Sequence, residues 1–231
     1  MFHSKTHLFF DLDHTLWDYV RCSKETLSEL WLAYQLEEKG VQFNEFFRKF
    51  NEINECLWQR YHNGEIEKEV IRDDRFPTIL AELSIPDGNL ALNMQREFLR
   101  VCPTKPYLID GAIELLESLS GRYGLHIITN GFDEIQDTKL RSSGIDHFFE
   151  EVITSGTAGS QKPENRIFEF ALEKIMALPA ATLMIGDNPL SDIEGAYRAG
   201  IDQVFFNPNK QLCPITPTLE IESLRELLDY V

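Results

Sequence analysis

Leu8-Phe9-Phe10-Asp11-Leu12-Asp13-His14-Thr15-Leu16 decides how this chain is read. An unbroken apolar run ends in two carboxylates one residue apart, and a hydroxyl follows. Such a run reads as a strand buried in a parallel sheet, where side chains need not alternate. If the extended geometry persists beyond Phe10, Asp11 and Asp13 project to the same side, because strand side chains repeat every second residue. Two carboxylates held together in a dry site repel each other, and a divalent cation is the usual remedy. Taken alone, the stretch is read equally well as a strand running into a solvated, Asp-rich turn.

The chain has 231 residues, 43% of them hydrophobic, enough for one large domain or a domain with an insertion. Nothing in its composition reads as disorder. The formal net charge of −16 argues against nonspecific binding to nucleic acid or to an anionic membrane, and mainly aids solubility. Any phosphate site must therefore be locally positive. Cys22, Cys56, Cys102 and Cys213 lie far apart and form no C-x-x-C pair. With no signal peptide at the start, reduced thiols in a cytoplasmic protein are expected. No apolar run approaches the ~20 residues of a membrane span.

Beyond Thr15 the pattern changes. Across 23–100 only helical periodicity is found: Trp31, Tyr34, Phe43, Phe46, Phe47, Phe50, Ile53, Leu57, Trp58 and Tyr61 recur largely at three- and four-residue spacing. An aromatic stripe of this kind is helix-bundle core or, less commonly, a ligand-facing surface. Asn63-Gly64 and Pro86-Asp87-Gly88 punctuate it as turns. After Pro103 and Pro106 helices and strands alternate. Strands are expected at 125–129, 152–154, 182–185 and 203–206, and helices at 113–119, 132–141, 163–176, after Asp187 up to about Ala199, and from about 219 to 228. This alternation predicts an α/β fold with a parallel sheet and right-handed crossovers. The first strand lacks its own crossover, so the helical stretch is read as an all-helical cap domain inserted after it. Residues 1–18 and 102–231 then form the core and 19–101 the cap.

In an open parallel sheet, ligands bind beyond the carboxyl ends of the strands. The polar residues that follow the expected strands are Asp11 and Asp13, Thr129 and Asn130, and Asp187 with Asp192, while Lys162 opens the helix between. Carboxylates, one amine and one hydroxyl at one rim form a division of labour that a solvated loop rim would hardly show.

At these residues the chain resembles the haloacid dehalogenase superfamily. Its four motifs correspond to Asp11-Leu12-Asp13-His14-Thr15, Thr129-Asn130-Gly131, Lys162-Pro163, and Gly186-Asp187 through Asp192. The match spans the whole core in the right order, and the motifs are specific together, not singly. The resemblance implies a Rossmann-like core and a helical cap of the first type. Leu57-Trp58-x-x-Tyr61-x-Asn63-Gly64-x-Ile66 and Thr129-Asn130-Gly131-Phe132 resemble the branch that holds house-cleaning pyrimidine 5'-nucleotidases. One stretch departs from that branch: 155–161, before Lys162, is small and neutral where relatives usually carry an acid or two.

The resemblance implies a Mg²⁺-dependent phosphomonoester hydrolase working through an aspartyl-phosphate. Asp11 is the candidate nucleophile and Asp13 the acid and base. Thr129, Asn130 and Lys162 are the candidate phosphate-binding residues. Magnesium would be held by Asp11, Asp187 and the backbone carbonyl of Asp13, with Asp192 one shell out, acting through water or by orienting Lys162. The implied partner is a small phosphorylated metabolite, with a nucleoside 5'-monophosphate favoured, and the chain is expected to be a monomer or a weak homo-oligomer. His14 is read as solvent-facing, though it could meet the leaving group. The rival readings are a sugar-phosphate phosphatase or phosphomutase on the same core, and a catalytically silent binding or regulatory module. A dehalogenase is disfavoured, because expelling halide requires no acid at Asp13.

Overall fold

The apolar run at the start does become a strand, β1 (His7–Phe10), and it occupies the middle of a parallel sheet. The structure is a computed structural model describing residues 2–231. By its internal contacts it divides into two units, Met1–Tyr19 with Pro106–Val231, and Val20–Lys105.

The first unit is α/β. β1 is followed by α5 (Ala112–Leu119), β2 (Gly124–Thr129), α6 (Asp133–Ser142), β3 (Glu151–Thr154), the short α7 (Ser155–Ala158), α8 (Asn165–Lys174), β4 (Thr182–Gly186), α9 (Gly195–Arg198), β5 (Asp202–Phe206) and β6 (Leu219–Ile221). Among the described residues the sheet runs β3-β2-β1-β4-β5-β6, every neighbouring pair parallel. Leu8, Phe9 and Phe10 are completely buried, which explains why β1 shows no polar alternation. Phe9, Ile128, Ile153 and Met184 pack with Ile167 and Phe168 of α8 into one core cluster. The direction of winding reverses between β1 and β4, so their following loops diverge and leave a crevice at the carboxyl ends.

Three elements differ from the sequence expectations. The helix expected from Pro163 begins at Asn165, because the chain first turns through a hydrogen bond from the Glu164 N–H to the Gln161 carbonyl; the Lys162–Pro163 peptide is cis. The helix expected after Asp187 and up to about Ala199 divides into a π-helical turn, Pro189–Glu194, and α9. The closing helix over 219–228 is instead the edge strand β6, then a 3₁₀ segment, Leu224–Asp229, capped by Ser223 and Glu226.

The second unit is helical, with α1 (Tyr19–Ala33) running into it and α2 (Phe43–His62), α3 (Lys68–Glu82) and α4 (Gly88–Val101) following. Phe46, Phe50, Ile53, Leu57 and Tyr61 line the buried stripe of α2, whereas Phe43, Phe47 and Trp58 are half-buried. Phe50, Phe76 and Phe98 surround the Arg75 guanidinium at 5.2, 5.7 and 4.7 Å. Arg75 also donates to Asn54 and Gln95, so this buried cation ties three helices together. Asp87 caps α4 by accepting from the Asn89 and Leu90 N–H groups. Among the described residues no helix is long and apolar enough to cross a membrane.

Candidate active site

Beyond β1 the Asp11 N–H still donates to the Ile185 carbonyl of β4 at 2.9 Å, so Asp11 belongs to the sheet's last rung. The chain then reverses. Leu16 and Trp17 N–H groups converge on the Leu12 carbonyl, and His14 takes φ +66°, a left-handed conformation uncommon outside glycine. This turn parts the two acids. Asp11 meets Lys162, while Asp13 is held by Lys139. His14 is exposed, its ring tilted against Tyr19.

Lys162 is 1% exposed, and its Nζ donates to Asp11 Oδ1 at 2.7 Å, Asp192 Oδ1 at 2.6 Å and the Ile128 carbonyl at 2.8 Å. Those three bonds use every proton the ammonium has. The Lys162 backbone is fixed as well: Asn130 Oδ1 accepts from its N–H, and Asn130 Nδ2 donates to its carbonyl. With its amide spent in this way, Asn130 could serve a phosphate only through its backbone. Thr129 Oγ1 accepts from the Gly131 N–H and keeps its own proton to donate.

Asp187 follows β4 and accepts a hydrogen bond from Thr15 Oγ1 at 3.0 Å. Asp192 is 1% exposed; besides Lys162 it accepts from the Asn188 N–H and Ser191 Oγ. A Cβ on Gly186 would overlap the Asp192 carboxylate, so this position must be glycine for the acid to fit.

One carboxylate oxygen from each of Asp11, Asp187 and Asp192 lies within 4.8 Å of the others. Burial pushes the Asp11 carboxyl well above the ordinary carboxylate range; Lys162 opposes this, and Asp192 and Asp187 add to it. Asp187 is raised by burial and then by Asp192, against the Thr15 hydrogen bond and Lys162. Burial would lower the Lys162 ammonium, but Asp11 and Asp192 outweigh it and keep it charged. Three carboxylates against one ammonium leave two formal negative charges among hard oxygen donors. A divalent cation fits that set in charge and chemistry. With both Asp192 oxygens already engaged, Asp11 and Asp187 are the better-placed ligands.

The structure thus gathers Asp11, Thr129, Asn130, Lys162, Asp187 and Asp192 at one rim, with Asp13 on the adjoining turn. Sequence reasoning passed over two neighbours. Thr15 lay inside the opening stretch as an unassigned hydroxyl. Lys139 had only a faint signal: a charged residue on the apolar phase of α6, three residues after Gln136 and one before Leu140.

The sequence model of the haloacid dehalogenase-like hydrolase family matches residues 5–200. The HAD-hydrolase YfnB of Bacillus subtilis is 33% identical over 95% of this chain and 92% of its own. Its magnesium-bound crystal structure superposes with a TM-score of 0.88 at 30% identity, covering 97% of each chain. The pyrimidine 5'-nucleotidases YjjG of Escherichia coli and PynA of Streptococcus pneumoniae are 32% and 31% identical, over 95% and 96% of this chain and 95% and 93% of theirs.

Proposed function

Since the chain belongs to the family of haloacid dehalogenase-like hydrolases and is a phosphatase, we propose that it cleaves small phosphomonoesters in the cytoplasm with Mg²⁺, nucleoside 5'-monophosphates foremost. The observation that carries this reading is the Lys162 ammonium held between Asp11 and Asp192, with Asp13 on a separate turn. Attack and proton transfer thereby fall to different acids. An Asp11 oxygen attacks phosphorus, and the bond from phosphorus to the leaving oxygen breaks. That oxygen keeps the electron pair and takes a proton from the Asp13 carboxyl. Water then attacks the aspartyl-phosphate and gives its proton to Asp13. The Asp11–phosphorus bond breaks, releasing inorganic phosphate. Thr129 donates its free proton to a phosphoryl oxygen. Lys162 adds its positive charge beside the nucleophile while its protons stay on Asp11, Asp192 and Ile128, and Asn130 keeps Lys162 in place. Asp11, Asp187 and the Asp13 backbone carbonyl would hold magnesium, which when bound offsets the repulsion between phosphate and these acids.

The likeness to two pyrimidine 5'-nucleotidases supports nucleotide substrates, and the magnesium-bound relative supports the choice of metal. The test is a panel of nucleoside monophosphates, sugar phosphates and p-nitrophenyl phosphate, assayed with Mg²⁺, with EDTA and with Asp11→Asn. Pyrimidine nucleotides should lead the panel. EDTA should abolish turnover, and Asp11→Asn should lower it by ~10³-fold or more. Substantial activity in Asp11→Asn would refute the nucleophile, and a clear lead for sugar phosphates would refute the substrate class.

A further inference from the structure

Lys139 has no part in the chemistry above, yet it is one of the most enclosed charges of the α/β unit. α6 buries Gln136, Lys139 and Leu140 on one face, and Lys139 is 3% exposed. Its Nζ donates to both carboxylate oxygens of Asp13, each at 2.7 Å, and lies 4.7 Å from the centre of the Trp17 ring. Trp17 is completely buried and pairs with Asp13 through a β-bridge. One indole therefore braces the ammonium and closes the turn that carries its carboxylate. Burying a lysine is costly unless it is paired, and on a helix surface the same lysine would simply face water.

Building on the phosphatase reading, we infer that Lys139 is the positioning residue for Asp13. Proton transfer needs only one carboxylate oxygen. When the leaving oxygen, and later the water, engages one oxygen of Asp13, Lys139 retains the other and the carboxyl cannot swing away. Attack on phosphorus relies on Asp11 and Lys162, not on this pair. Loss of Lys139 must then fall unequally on the steps.

The experiment compares uridine 5'-monophosphate, whose alkoxide needs a proton to leave, with p-nitrophenyl phosphate, whose phenolate does not. Lys139→Met, Lys139→Gln and Lys139→Arg are followed by rapid mixing and at steady state, with a thermal melt of each. For Lys139→Met, kcat/KM on the nucleotide should fall ~10²-fold, and steady-state turnover of p-nitrophenyl phosphate should fall as well, since water activation uses Asp13. First-turnover release of p-nitrophenolate should change by no more than about threefold, so that a burst appears. Lys139→Arg, which keeps the positive charge, should recover part of the loss. If Lys139→Met does not melt cooperatively, Lys139→Gln carries the same comparison. Equal losses in first-turnover release and nucleotide turnover would overturn the inference, as would a nucleotide rate within about threefold of wild type. Wild-type protein inactive on both substrates would instead overturn the phosphatase reading on which the inference stands.

Discussion

A lysine with 1% exposure persists inside a protein because each of its protons finds an oxygen, and for Lys162 these belong to Asp11, Ile128 and Asp192. Removing one partner from a buried set of charges typically costs ~3–5 kcal/mol, since the others are left uncompensated. Lys162→Met should therefore lose stability of that order at pH 8. What remains is three acids, which can relieve their repulsion by taking up protons, so the deficit should shrink markedly at pH 5.5. Urea unfolding at both values measures it, and an equal deficit at each would contradict the argument. At this scale much of the candidate site was legible: acids, a hydroxyl and an amine following successive strands marked one rim, and the resemblance of the four motifs to the haloacid dehalogenase superfamily gave that rim its phosphate reading. Lys139 was not legible, because a helix lysine ordinarily faces solvent and only its phase relative to Leu140 marked it as buried. Nor did the sequence show that Asn130 would spend its amide on the backbone of Lys162. That pairing exists only once the end of β2 and the turn before α8 have come together.

The strands were readable wherever they are buried, as unbroken apolar runs, and failed where they are not. β6 is three residues at the sheet edge, and Leu224, Leu227 and Leu228 beyond it carry helical spacing, so the two merged into one apparent helix. At the opposite end from the active site, β1 and β2 place His7 Nδ1 against His126 Nε2 at 3.1 Å, rings stacked. His126 is 1% exposed, and its Nδ1 has no hydrogen-bond partner among the described residues. Burial, and then His7, push its pKa down to about 4 from 6.5. Between those values the unfolded chain binds a proton that the folded one refuses. The stability is thus fully present above pH 6.5 and is lost as pH falls through 4, by up to about 3 kcal/mol. The urea midpoint of His126→Phe should consequently fall less steeply than that of wild type between pH 7 and 4.5. Parallel slopes would show that the histidine pair does not govern this window.

For the whole molecule, alternation of helix and strand made the α/β architecture readable, but the strand order was not in the sequence. Which side of β1 each crossover takes depends on packing between distant segments, and that order places Asp11 and Asp187 just beyond the ends of adjacent strands. Their meeting has a consequence for the protein as a whole. Burial first, with neighbouring acids adding to it, pushes Asp187 up to about 7 and Asp11 up to about 8. From the ordinary carboxylate range up to those values, the metal-free folded state holds protons that the unfolded chain has released. Its stability is therefore greatest on the acid side of that window and declines as pH rises through it. A divalent cation needs the same carboxylates ionised, so its binding competes with protons and strengthens as pH rises. Ligand at a hundred times its Kd stabilises by about 2.7 kcal/mol. Mg²⁺ should accordingly raise Tm only slightly at pH 5.5 and by several degrees at pH 8, and should release protons when titrated in at pH 7. Asp187→Asn, lacking one ligand, should lose most of the shift at pH 8. Thermal melts with and without Mg²⁺ across that range, beside calorimetry in two buffers of different ionisation enthalpy, would decide it; a shift independent of pH and of Asp187 would place the cation elsewhere.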